Sequence, residues 1–188
     1  MKKVKRIKIT SLDYAILGLI HQEPLSGYGI RKQFETTALG NYSSSPGAVY
    51  PALDRLQQLG MVVKSRLAEQ KKDRFKCTDK GIVTLKQWLL LPITIADVAK
   101  KTEELLLKFA FMDNLLNNIQ KIVFLESFQK QLKIYLEELK AFHSKEGASL
   151  PLNGRLAFEH GLASYTTTYK WCKNAITAIR THQEKQNM

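Results

Sequence analysis

Six cations fall between Lys64 and Lys76, namely Lys64, Arg66, Lys71, Lys72, Arg74 and Lys76, and only Glu69 and Asp73 oppose them. Such a cluster neutralises a polyanion, and the ions it displaces from phosphates supply most of the affinity. A second group precedes it: Ser44, Ser45, Pro46, Gly47 and, one helical turn on, Tyr50. Serine hydroxyls and unpaired N–H groups at the start of a helix suit phosphates or base edges, and Tyr50 and Arg55 reach further along the same helix. Lys2, Lys3, Lys5, Arg6 and Lys8 form a third cationic group, a basic arm able to track a groove.

No catalytic constellation accompanies these groups. His21, His143, His160 and His182 show no metal-ligand spacing, and no glycine-rich phosphate loop or nucleophile elbow is present. Neither an enzyme activity nor a cofactor or metal is expected. Cys77 and Cys172 lack the spacing of a zinc knuckle or disulfide framework and read as buried apolar residues, with a redox role left open.

The elements that must carry these groups follow from charge and periodicity. Of the net charge of +12 over 188 residues, +9 lies in residues 1–90, so the polyanion contact belongs to the first half. Leu12, Ala15, Ile16, Leu19 and Ile20 form the stripe of a helix that buries one face. The basic arm before it imitates a signal peptide, but Asp13 interrupts the imitation, and a cytoplasmic, non-membrane protein is expected. Ser26 starts a second helix with Tyr28, Ile30 and Phe34. Ser45 and Pro46 start a third, lined by Val49, Ala52, Leu53, Leu56 and Leu59, with Gly60 as its left-handed cap and Pro51 loosening its first turn.

From Met61 the period becomes two. Lys64 and Arg66 share one face of a first strand, Arg74 and Lys76 one face of a second, and together they predict a cationic hairpin. A fourth helix spans 79–90. This order predicts a mainly α protein: a basic arm (1–10), a winged helix-turn-helix domain with a two-stranded wing (11–91) and an all-helical dimerisation domain (92–188). In the second half, helices are expected near 98–112, 115–142 and 153–180. The seams Leu125, Phe128, Leu132, Tyr135, Leu139, Phe142 and Phe158, Leu162, Tyr165, Tyr169, Cys172, Ile176, Ile179 make the last two an antiparallel pair linked by 143–152.

Several runs resemble the PadR family of transcriptional regulators. They are Leu12-Asp13-Tyr14-Ala15-Ile16-Leu17-Gly18-Leu19, Ser26-Gly27-Tyr28-Gly29-Ile30, Ser45-Pro46-Gly47-Ala48-Val49-Tyr50-Pro51-Ala52-Leu53-Asp54-Arg55-Leu56, Gly60-Met61-Val62 and Thr78-Asp79-Lys80-Gly81. The C-terminal half is more loosely similar to the helical dimerisation domain of the virulence-activator branch. The resemblance implies a homodimeric regulator, usually a repressor, with Tyr28 and Tyr50 near DNA, and it accommodates Pro51. Lys71-Lys72-Asp73-Arg74-Phe75 departs from the family's Arg-Lys-x-Tyr run in the second wing strand.

The expected function is therefore a homodimer whose third helices read a near-palindromic duplex while Lys64, Arg66, Lys71, Lys72 and Arg74 hold its phosphates. Aromatic residues of the second half, with Trp88 and Trp171 as places to look, leave room for a small aromatic effector, to which no residue is assigned. The competing reading is a winged-helix protein-interaction module without specific DNA binding.

Overall fold

The first helix opens on a reciprocal cap. Asp13 Oδ2 accepts from Thr10 N at 2.7 Å and from Thr10 Oγ1 at 2.9 Å, while Thr10 Oγ1 accepts from Asp13 N at 3.4 Å. This satisfies donors that a helix start leaves open. The computed structural model describes residues 8–36, 45–65 and 73–186. They form two compact units, Met1–Leu90 and Leu91–Met188.

In the first unit, α1 (Ser11–Gln22) is covered more completely than a one-face stripe predicts: Leu17 and Gly18 are buried along with Ala15, Ile16, Leu19 and Ile20. The reason is its central position, packed by α2 (Gly27–Thr36), α3 (Pro46–Gln58), the strand β2 (Arg74–Cys77) and α4 (Asp79–Leu89). Ile30 and Phe34 of α2 and Val49, Ala52, Leu53 and Leu56 of α3 complete the core. The helix α3 runs on through Pro51. The carbonyl of Gly47 loses its helical donor there, but it lies on an exposed turn where water can replace it.

The end of α3 is sharp. Gly60 has φ of 67°, its N–H donates to Gln57 O and the Met61 N–H donates to Leu56 O, both at 2.9 Å. This pairing satisfies two terminal carbonyls and needs the left-handed glycine expected there. The strand β1 (Val62–Ser65) then pairs antiparallel with β2. Leu25 flanks β2 on its other edge, exchanging two backbone bonds with Phe75 at 2.8 and 3.3 Å. Thr78 ties three elements together: its N–H donates to Met61 O, its Oγ1 donates to Gly60 O at 2.8 Å, and the same Oγ1 accepts from Gly81 N to cap α4. A Cβ on Gly81 would collide with the Met61 carbonyl, so the close approach of α4 to this turn requires glycine.

The second unit is wholly helical among the described residues. Its helices are α5 (Ile95–Ala110), α6 (Asn118–Glu146), a 3-10 turn (Gly147–Ser149) and α7 (Leu152–Gln186). Capping boxes at Thr94/Asp97 and Asn117/Gln120 place the first two starts three residues from where the apolar pattern alone put them. Lys101 breaks the helical dihedrals of α5 (φ −140°, ψ 29°) and marks a kink. The link between α6 and α7 is shorter than 143–152, because α6 continues to Glu146. Tyr135 against Tyr165 (5.0 Å, edge-on), Phe142 against Phe158 (5.4 Å) and Arg180 to Glu126 (3.1 Å) set the two helices antiparallel. The α6 seam is closed at Leu125, Phe128 and Leu132 and opens toward Phe142.

Candidate nucleic-acid interface

Two helices present tyrosines outward. Ser26 Oγ accepts from Gly29 N at 3.1 Å at the start of α2, and Tyr28 in that first turn is 60% exposed. Tyr50, one turn into α3, is 45% exposed. Its ring lies across Gly27: the position a Cβ would take on Gly27 is 2.6 Å from Tyr50 Cε1 and 3.3 Å from its hydroxyl oxygen. Tyr50 of α3 thus lies against α2 at the residue before Tyr28.

At the entrance of α3, Ser45 occupies the N-cap position in extended conformation (φ −61°, ψ 144°), and Pro46 is the first helical residue. The Ser45 carbonyl accepts from Ala48 N and Val49 N, but its side chain makes no capping bond, contrary to the role expected of a cap serine. Gly47 is exposed, and a Cβ added to it would meet no atom within 4 Å. Ser44 lies outside the described residues.

Arg55 turns inward rather than out along α3. Its Nη2 donates to Asp13 Oδ1 at 2.6 Å, and its Nε lies 3.0 and 3.2 Å from the two carboxylate oxygens. Asp13 is completely buried. A planar fork on a carboxylate is a strong, directional pairing, so Arg55 is placed to fix α3 on α1. Sequence reasoning missed Asp13 in this role; the available signal was a carboxylate inside an otherwise apolar helix.

The wing divides its cations. Lys64 pairs with Phe75 and Lys76 with Val63, so Lys64 shares the face of buried Phe75, whereas Arg74 and Lys76 share the opposite face. Lys64 Nζ sits 5.9 Å from the Phe75 ring centroid, and Arg74 Nη1 donates to Pro24 O at 3.3 Å. Lys64 and Lys76 are exposed and Arg74 is half-buried. Arg66, Lys71 and Lys72 lie outside the described residues, as do Lys2, Lys3, Lys5 and Arg6, while Lys8 is described and exposed.

The remaining candidate chemistry is occupied by packing. Burial pushes the Cys77 and Cys172 thiols up to about 12, the Cys77 Sγ lying 3.5 Å from Leu17 O. Trp88 stacks on Tyr14 at 4.7 Å within the first unit, and Trp171 meets Phe109 edge-on at 5.4 Å within the second. Burial and the neighbouring Lys86 lower the His21 pKa. Among the described residues no three His, Cys, Asp or Glu side chains are grouped to hold a metal, and no helix is long and apolar enough to cross a membrane.

Comparison with known proteins bears on the same region. Residues 16–87 match the model of the family described as transcriptional regulator PadR-like. The negative transcriptional regulator PadR of Bacillus subtilis is 30% identical over 141 residues, 73% of this chain and 76% of that protein. The transcriptional regulator YqjI of Escherichia coli is 35% identical over 78 residues, 42% of this chain and 35% of that protein. A crystal structure of Bacillus subtilis PadR in complex with operator DNA aligns over 90% of this chain and 99% of that one, at 25% identity and a TM-score of 0.41.

Proposed function

This chain belongs to the PadR-like family of transcriptional regulators, and from that membership we propose that it is a homodimeric repressor that binds a near-palindromic operator through two winged helices. The observation that carries the reading is that Tyr50, in the first turns of α3 with Ser45 and Gly47, is exposed and lies against Gly27 of α2, which precedes exposed Tyr28, with the Lys64 and Arg74 hairpin in the same unit. In this reading α3 meets base edges with its first turns, and Ser44 belongs to the same contact. Lys64, Arg66, Lys71, Lys72 and Arg74 meet phosphates and set position, not sequence. Arg55 contributes from behind, by holding α3 in place. The split of the wing cations between two faces suits an element inserted beside a groove, where phosphates lie on either side.

Two half-sites about one helical turn apart (roughly 34 Å) call for two copies of the chain. Support for dimerisation comes from α7, a 35-residue helix in which only Cys172 and Ile176 are buried among the described residues, while Leu152 and Leu156 are exposed. A long helix with apolar residues on more than one face needs a partner surface. Repression follows from occupying promoter DNA in the cytoplasm, and the relative from Bacillus subtilis is named a negative regulator. Relief by a small aromatic effector is part of the proposal, with the cluster of Phe109, Phe124 and Trp171 as the place to look for it.

Selection from random duplexes with the purified chain tests the core of the reading. A preferred near-palindrome should emerge, and its affinity should fall by about three or more orders of magnitude between 50 and 200 mM salt if six or more phosphates are contacted. No preferred duplex, or an affinity indifferent to salt, overturns it.

A further inference from the structure

Gly27 is a buried glycine whose missing side chain is filled by an exposed side chain of another helix. Its backbone does not demand glycine: among the described residues only Gly60 has positive φ. What demands it is Tyr50, whose Cε1, Cζ and hydroxyl oxygen lie 2.6, 3.1 and 3.3 Å from the place a Cβ would occupy. An aromatic ring nearly half exposed would otherwise sample several rotamers. Here α2 supplies a flat seat for the ring one residue before Tyr28.

We propose that Gly27 is a positioning residue for Tyr50, and that discrimination between operator and non-operator DNA depends on this seat. The proposal rests on the DNA-binding reading above and deepens it. The physical argument is preorganisation: a contact held in its bound orientation before binding does not lose rotamer freedom on binding, and base readout tolerates little angular error. Phosphate contacts by flexible lysines tolerate much more, so loosening the ring should affect selected and scrambled duplexes differently.

Gly27→Ala is a clean perturbation, since the atoms nearest the added methyl belong to the outer end of the Tyr50 ring, which can swing out of its seat, and alanine is accepted by a helical backbone. The experiment compares the 188-residue chain with its Gly27→Ala, Tyr50→Ala and double variants. Three readouts are taken: thermal unfolding, affinity for the selected duplex and a scrambled one, and the amide resonance of Gly27. In the wild type that resonance should carry the ring current of Tyr50 and move in Tyr50→Ala. Gly27→Ala should melt no lower than wild type, lose about tenfold on the selected duplex and little on the scrambled one, and cost nothing further in the Tyr50→Ala background. Losses that add in the double variant, or that are equal on both duplexes, overturn the seat while leaving DNA recognition intact. A Gly27 resonance indifferent to Tyr50→Ala overturns its geometry. A wild-type chain that prefers no duplex overturns the underlying reading, even if the resonance moves.

Discussion

Asp13 and Arg55, 42 residues apart in sequence, join the first and third helices through a fork of guanidinium on carboxylate at 2.6 to 3.2 Å. The same carboxylate caps α1 through Thr10, so one buried group both starts one helix and anchors another. Asp13→Ala should therefore destabilise the chain by about 3 kcal/mol, combining a lost cap with an unpaired, mostly covered guanidinium. Arg55→Lys should recover little of the pairing, because an ammonium cannot span both oxygens. Chemical denaturation checks both; a loss below about 1 kcal/mol for Asp13→Ala would remove the pair from its anchoring role.

Gly47 separates folding from binding. Open space surrounds its α-carbon, so Gly47→Ala should leave stability unchanged or raise it by about 0.5 to 1 kcal/mol, through reduced freedom of the unfolded chain. If the duplex approaches this turn closely, the same methyl should cost about tenfold in operator affinity. A melting curve and a binding isotherm on one preparation decide the matter.

Reading and positioning should fail differently. Lys71→Ala with Lys72→Ala is expected to weaken every duplex alike and to flatten the salt dependence by about two phosphate contacts. Tyr50→Ala should instead weaken the selected site preferentially. Identical, sequence-blind losses from both would take α3 out of the reading role.

Leu152→Ser with Leu156→Ser should shift the chain from dimer to monomer in sedimentation equilibrium while preserving its helical content, since neither side chain is buried within the chain. A wild-type mass equal to one subunit would contradict the dimer itself.

The two thiols, held at about 12 by burial, should resist iodoacetamide at neutral pH in the folded chain and react once it is unfolded. Operator binding should likewise be indifferent to mild oxidants. Rapid labelling of native protein would restore a redox role for Cys77 or Cys172.

Much of this architecture could be read from periodicity and punctuation. The 3.6-residue stripes located the helices, the change to period two located the hairpin, and Gly60 marked the turn after α3 because only a left-handed residue closes that pattern. What escaped depends on partners distant in sequence. Arg55 reads as an outward cation until Asp13 is known to lie beneath it. The division of the wing cations depends on register: even-numbered residues of β1 pair with odd-numbered residues of β2, and a loop one residue longer or shorter would have put Lys64 on the face of Arg74. The seat on Gly27 needed the distance between two helices, which neither run contains alone. The kink at Lys101 has no sequence signature that we can identify.

The hook that follows α3 limits how such a protein can be controlled. Gly60 and Met61 are bonded back into α3, forward to Thr78, and wedged against Gly81. Asp13 holds Arg55 in the last turn of the same helix, so the C-terminal end of α3 is tied in two ways. If an effector relieves DNA binding as proposed above, an α3 tied at this end would transmit the signal with the unit that carries it, not by turning about its own C-terminus.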